Sequence, residues 1–596
     1  MKRLTILAIT LSVGLSACTA LDKAPLSKIS QYDYFKNETD LQLFTNPFYN
    51  NLLDKKPYDD QSDLIVNQTL SDLILGGNKR TVPNSGGGWS WTDLRRMNTL
   101  LKYSDQCANK DAVAKYNALT KFFRAFFYFE KVKRFGDVPW YDQELGSTDA
   151  ALQNPRDSRE LIMTKMIEDV DEAIATLTPN VSTYRVNRWA ALALKAQFCL
   201  YEGTYRKYHG LTIEGHDYTY YLDLAAKAAR ELIDDGPYKL YKTGNPEKDY
   251  LTLFAQEDAS QDEYILAIKF DYGLGIYHNA TAFTLVPTQG RPGYTKKMIN
   301  MYLMKDGTAF TDRTDGWQTL SFNDEMKDRD PRLAQSVRTP GYTRIGKTDV
   351  LAPDFGVSVT GYQPIKFVQD PTASGGNVDR NDRSTCDIPV YRYAEVLLNY
   401  AEAKAELGTL TQDDLEISVN KIRERAGMPD LDMAKANANP DRYLSSAEYG
   451  YTNVTGNHTG VILEIRRERA VELMQEGFRF DDLVRWKAGY CIDQELLGMY
   501  FKGPGEYDLS GNGKTDLILY ENGTEKPKAG DGVQVYELGK EIFLTGGTRG
   551  YLNYHKDITR TKFNEERDYL YPIPINERSL NKNLTQNPGW NDGLNF

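Results

Sequence analysis

Apolar positions recur every three to four residues through most of the first half of the chain, the spacing that gives a helix one buried face. In YNALTKFFRAFFYFEKVKRFGDVPW (116–140), Leu119, Phe122, Phe123, Phe126 and Phe127 form such a stripe, and Gly136 and Pro139 end it. RELIMTKMIEDVDEAIATL (159–177) predicts a second helix, closed by Pro179. NRWAALALKAQFCLYEGTYRKY (187–208) predicts a third, whose Ala190, Ala191, Ala193 and Ala196 let a neighbour come close. YYLDLAAKAARELIDDGPYKL (220–240) predicts a fourth, with Gly236 and Pro237 as its stop. Long helices with small residues on their contact faces and short turns between them read as stacked helix pairs of tetratricopeptide type. The spacing is irregular, so the expected fold is mostly α, a degenerate array of such pairs carrying a loop-rich region and short strands.

From about 240 to 385 the helical period is lost. DEYILAIKFDYGLG (262–275) predicts a strand, and the stretch from His278 to Gly361 is rich in Gly, Pro, Thr and aromatic residues. A loop region this large within a helical protein is usually functional or disordered, and its aromatics and the nearby strand favour function. Helical pattern returns in YRYAEVLLNYAEAKAELG, where Gly408 suits a C-cap, and continues through LEISVNKIRERAG and ILEIRRERAVELMQEGFRFDDLVRWKAG. Residues 495–570 are glycine-rich and strand-like, and the last segment is irregular. The helical parts are expected over about 95–240 and 388–490, the ligand-facing loops over about 240–385, and an irregular C-terminal part over 495–596, all within one domain spanning 31–596.

The N-terminus changes this picture. MKR followed by LTILAITLSVGL is a positive end before a short apolar run, the form of an export signal. The run is shorter than the roughly 20 apolar residues that a spanning helix needs. LSACTALDKAP (15–25) then places Cys18 after small residues, in a pattern that resembles the lipobox of bacterial lipoproteins. It implies a signal peptide over 1–17, an acylated Cys18 and a tether over 18–30. At about 0.8 kcal/mol per buried CH₂, several acyl chains hold a protein on a membrane durably.

Net charge is −11, with no clustered Lys and Arg stripe, which argues against nucleic acid as a partner. Cys107, Cys199, Cys386 and Cys491 are widely spaced with no CxxC, which argues against structural zinc, and Cys199 sits in an apolar helical run as a core residue would. The surplus of 40 Tyr, with 23 Phe and 7 Trp, suits a protein that presents ring faces with polar edges, while most of these rings must still pack.

The lipobox, FFRAFFYFEKVKRFGDVPW, RVNRWAALALKAQFCLY, KDRDPRL (327–333), YRYAEVLLNYAEA, VNKIRERAG, RERAVELMQEGFRFDDLVRW and YLYPIPINERSLNKNLTQNPGW appear in this order. Together they resemble the SusD/RagB family of outer-membrane nutrient-uptake lipoproteins, along essentially the whole chain. The resemblance implies a non-enzymatic, surface-exposed binding protein on a tetratricopeptide-like scaffold. It lids a SusC-like, TonB-dependent β-barrel and passes glycan, or in some members peptide, into it; Cys18 would tie the lid beside the pore.

Three features carry candidate chemistry. Arg469, Glu472, Glu476, Arg479, Asp481, Asp482 and Arg485 alternate in sign along a helix and its exit, so they pair as a structural network in preference to a catalytic carboxylate pair. DLSGNGKTDL (508–517) lacks the first glycine of a phosphate loop. It does place Asp508, Ser510, Asn512, Lys514 (through its carbonyl) and Asp516 at Ca²⁺-loop positions, although Leu519 stands where glutamate closes such a loop. A plain glycine turn between two strands is the equal alternative. Sugar binding needs flat rings in loops with polar groups beside them. Trp89 and Trp91 in NSGGGWSWTDLRRMN qualify, Trp89 as the better platform and Trp91 as the ring that turns inward. Tyr272, Tyr277, Tyr294 and Trp317 of the loop-rich middle also qualify, with Asn84, Asp271, Asn279, Arg291 and Asp315 as polar partners; a ring that merely covers loop backbone is the alternative for each. Trp486 and Trp590 lie in the resembling motifs and read as structural. No HExxH and no GxSxG appears, so metalloprotease and serine-hydrolase chemistry lack support, whereas a glycosidase pair among 83 acidic residues is invisible to spacing.

Overall fold

The computed structural model describes residues 34–54, 61–180 and 182–596, so the export signal, Cys18 and the tether lie outside the described residues. Eight helices of twelve residues or more are numbered here in chain order: α1 (Glu38–Leu52), α2 (Thr92–Tyr103), α3 (Lys110–Phe135), α4 (Arg159–Thr176), α5 (Arg188–His209), α6 (Tyr218–Asp235), α7 (Tyr393–Glu406) and α8 (Thr459–Glu472). Successive helices pack on one another from α3 to α8, and α1 and α2 lie against α3. This is the stacked helix-pair architecture that the apolar spacing predicts.

Local chemistry sets the helix ends. The Asn109 side chain accepts from the Ala112 amide to start α3, and Gly136, at φ 72°, stops it. Ser158, Asn187 and Asp217 cap α4, α5 and α6 in the same manner. Leu119, Phe122, Phe123 and Phe127 are buried, with Phe126 half-buried beside them. Ala190, Ala191, Ala193 and Ala196 of α5 are buried as well, and α6 comes so close that a Cβ on Gly203 would stand 2.7 Å from Leu222 Cγ.

Short strands tie the irregular parts to this scaffold. The predicted strand, β2 (Tyr264–Ile268), pairs antiparallel with β4 (Ile388–Arg392), which leads directly into α7; β4 had no separate sequence signal. β1 (Ile65–Val66) pairs with β3 (Gly293–Tyr294). The C-terminal part holds β5 (Tyr500–Phe501) paired with β9 (Gly550–Tyr551), and the sheet β6 (Gly505–Tyr507), β7 (Leu517–Tyr520) and β8 (Gln534–Glu537). The middle region is less open than its sequence suggests. Helices of five to seven residues, such as Asp249–Ala255, Lys296–Met301 and Pro331–Ser336, bury much of it. The principal core cluster runs from Phe35 to Leu584.

The charge-dense motif is a buried ionic network. After α8 the chain turns through Gln475 and Gly477, at φ 61° and 81°, into the helix Arg479–Arg485. Glu472 binds Arg332, Arg392 and Arg425 at 3.1, 2.8 and 2.5 Å. Burial alone would raise its carboxyl, but Arg425, Arg392 and Arg332 hold it well below the usual carboxylate range. Glu476 pairs with Arg392 and Lys366, and Asp482 with Arg469 and Arg485. Trp486, fully buried, donates its indole N–H to Glu402 at 2.7 Å, and Trp590 donates to the Leu570 carbonyl. These carboxylates are paired with arginine and lysine side chains of the scaffold.

Candidate functional site

Three glycines in left-handed backbone, Gly86, Gly87 and Gly88 at φ 75°, 56° and 89°, turn the chain into Trp89 and then into α2. Here the expected roles of the two tryptophans are reversed. Trp89 is 6% exposed and packs edge-on against Phe135 at 4.9 Å. Trp91 is only half-buried, with Phe127 at 5.7 Å and Tyr141 at 5.6 Å around it. The reversal follows from the glycine turn, which aims Trp89 back at the end of α3.

Both rings line a cavity of about 660 Å³ together with Tyr141 and Pro139. Leu145, Leu152, Leu580 and Leu584 line it as well, Leu580 with 74% of its surface exposed. Asn98 holds one wall: its amide donates to the carbonyls of Tyr141 and Gln143 at 2.9 and 3.1 Å, and its oxygen accepts from Arg124. The Tyr141 hydroxyl, the Gln143 amide and the Arg95 guanidinium also line the cavity and make no side-chain hydrogen bond among the described residues. Glu577 is the cavity's one carboxylate among the described residues, and burial raises it above the usual range. Ring faces beside uncommitted donors and acceptors can stack on the C–H side of a sugar and bond its hydroxyls. Tyr141, Gln143, Arg95 and Glu577 were missed in the sequence. VPWYDQ, an aromatic pair just past the end of a helix, was the available sign for the first two; nothing marked Glu577, which arrives from the far end of the chain.

The other candidates lie apart from this cavity. Trp317 packs edge-on against Phe310 and Tyr443, and Tyr443 stacks on Tyr449 at 4.6 Å. Tyr272, 43% exposed, and Tyr277 flank the tip Gly273–Ile276, their rings 5.9 Å apart. Tyr294 is a correction: it is fully buried in β3 and donates its hydroxyl to Gln475, so it is a core residue. Pairing with β1 draws this loop tyrosine inward. Asn279 is bonded to Asp382, Asp315 to Arg313, Arg291 to the Phe355 carbonyl and Asp271 to the Leu274 amide, so each of these polar candidates has a local partner.

Residues 508–516 join β6 to β7 as a hairpin loop. The Asp508 oxygens accept from the amides of Gly511, Asn512 and Gly513, and Asp516 Oδ2 accepts from Leu509 and Ser510. Asn512 accepts from the Lys514 amide. Leu519 is buried in β7, and among the described residues no three acidic, His or Cys side chains are grouped as metal ligands. These hydrogen bonds close the turn, and carboxylate oxygens that accept amides keep lone pairs for a cation, so the glycine turn and the Ca²⁺ loop both fit this geometry.

A stacked helix-pair scaffold with a concave, aromatic site defines a class of helical-repeat protein whose irregular segments build its cavities. The family follows from comparison: the SusD family profile matches residues 266–590, and a SusD-like profile described as "Starch-binding associating with outer membrane" matches 37–209. The chain belongs to the SusD family. A SusD-like protein of Formosa agariphila is 25% identical over 518 residues, which is 80% of this chain and 90% of that relative. Among solved structures, a SusD-like protein of Bacteroides fragilis (21% identity, TM-score 0.66) matches 95% of this chain and 100% of its own. A SusD-like carbohydrate-binding protein of the same species (20%, TM-score 0.67) matches 93% and 100%. Both share the fold. Among the described residues no helix is long and apolar enough to cross a membrane.

Proposed function

We propose that this protein is a lipid-anchored, non-enzymatic glycan-binding protein of the outer membrane, facing outward, that captures oligosaccharide and delivers it to a SusC-like, TonB-dependent β-barrel. The observation that carries the reading is the cavity itself: the half-buried Trp91 and Tyr141 rings stand beside the uncommitted Arg95, Gln143 and Tyr141 polar groups. Family membership supports the outer-membrane location and the barrel partner, and the Cys18 motif supports the acyl anchor. An anchored lid needs little affinity for the barrel, because tethering raises its local concentration. A partly desolvated stacking site that must release its cargo binds in the micromolar-to-millimolar range.

A glycosidase needs two carboxylates on either side of the scissile bond, about 5–9.5 Å apart. Among the described residues Glu577 is the one carboxylate lining this cavity, which supports binding without cleavage. The leucine rim at Leu145, Leu152 and Leu580 favours the second reading, a peptide cargo. A glycan array and calorimetry on the chain lacking residues 1–18 test the proposal. One glycan class should bind uncleaved, and binding of peptides alone would replace this reading with the second. Cys18→Ala should release the full chain from the membrane fraction; retention there would refute the anchor.

A further inference from the structure

A second cavity, of about 300 Å³, lies behind the same glycine loop: Gly88 lines it, while Trp89 and Trp91 line the first. Its cations are Lys131, Lys133 and Arg134 from the last turns of α3, and its carboxylates are Glu130 and Asp481. Lys133 engages both carboxylates, at 2.8 and 2.7 Å. The other two cations have none. Lys131, 7% exposed, donates to the Gly88 carbonyl, and its ammonium lies 5.4 Å from the Trp91 ring centre. Arg134 donates Nε to the Gly87 carbonyl and lies 3.8 Å over the Tyr571 ring, with no protein acceptor for either Nη group among the described residues. The Tyr571 hydroxyl likewise has no protein partner among the described residues. In the ionic network, by contrast, Arg332, Arg392 and Arg425 are each matched by carboxylates.

We infer that the cavity lined by Lys131, Arg134 and Tyr571 binds an oxyanion, and that the glycan taken up beside it is anionic, carrying carboxylates or sulfate esters. The inference rests on the glycan-binding reading above. Guanidinium, ammonium and phenol donors around one cavity suit carboxylate and sulfate oxygens alike. Charge matching agrees: burial, with Arg134 close by, pushes the Lys131 ammonium down to about 8 against the pull of Glu130 and Asp93, and a bound anion would offset that cost. The Trp91 ring on one side of the loop and the Lys131 ammonium on the other would let one sugar stack while the charge of the same or the next sugar is held.

Calorimetry with tetragalacturonate, a sulfated galactan tetrasaccharide and the neutral galactan tetrasaccharide tests this, using the chain from residue 19 and its Lys131→Met and Arg134→Gln variants. At least one charged sugar should bind tenfold or more tighter than the neutral one, and which one identifies the anion. Each variant should weaken charged-sugar binding by a much larger factor than neutral-sugar binding and so remove most of that advantage; an equal loss for both sugars overturns the inference. Equal affinity for charged and neutral sugars, or failure of both charged sugars to bind, overturns the inference. Neutral-glycan binding on the array would leave the glycan-binding reading standing even so. If the variants do not fold, the salt dependence of the wild-type chain decides: affinity for the charged sugar should fall severalfold between 20 and 300 mM NaCl, and no fall overturns the inference.

Discussion

Trp89 and Trp91 show how far residue type alone can reach. Both were recognisable as ring faces next to a flexible turn, yet which one meets solvent depends on where the glycine turn points them. Trp89 is wedged against Phe135, so Trp89→Ala is expected to cost about 3–5 kcal/mol in urea unfolding, as large-to-small core changes do. Trp91→Ala should cost about 1 kcal/mol or less yet weaken glycan binding about tenfold, because a single stacking face is worth roughly 1–1.5 kcal/mol. Equal stability loss for the two variants would show that both are core residues. Tyr294 teaches the converse: a tyrosine among Gly and Pro looks like a loop platform, but a two-residue strand pairing suffices to bury it.

At the scale of elements, the helix-and-exit motif 462–489 was legible as a charge pattern, and its partners were not. Arg332, Arg392 and Lys366 reach it from segments far away in the chain, and Glu263 joins the network through Arg392. Glu472→Gln leaves three buried arginines short of a carboxylate and should cost about 3–5 kcal/mol by urea denaturation, with little effect on ligand affinity measured where the variant is folded. The 508–516 hairpin behaves differently. Its carboxylates already accept amide hydrogen bonds, so the melting temperature in 5 mM CaCl₂ and in EDTA should agree within about 1 °C, a shift well under 1 kcal/mol. A clear rise with calcium would establish the cation site in place of the plain turn. The short helices of the middle region escaped notice because five to seven residues are too few for a 3.6-residue period to show.

Across the whole molecule, buried neutral histidines set an acid limit. His278 accepts the Ala280 amide at Nδ1 and meets the Cys386 carbonyl at Nε2, and burial pushes it down to about 4. His209, against the Val484 carbonyl, is likewise pushed by burial down to about 4. With folded values below the ordinary 6.5, the unfolded chain binds more protons in this range. The stability these groups contribute is present above about 6.5 and is lost as pH falls through 4. His278 accounts for about 3 kcal/mol of this. Unfolding free energy measured from pH 7 to 4 should therefore fall more steeply for the wild type than for His278→Gln, and parallel profiles would show that His278 does not titrate on unfolding.

The stacked helix pairs and the aromatic surplus were determined by local sequence, because apolar period, capping and turn residues act over a few neighbours; the proposed export signal and anchor rest on local sequence alone. The tertiary structure alone decided which ring is exposed, which carboxylates are spent on arginine, and that Tyr141 and Glu577, more than 400 residues apart, line one cavity. Those outcomes depend on contacts between distant segments, and such contacts leave no period or spacing along the chain from which to read them.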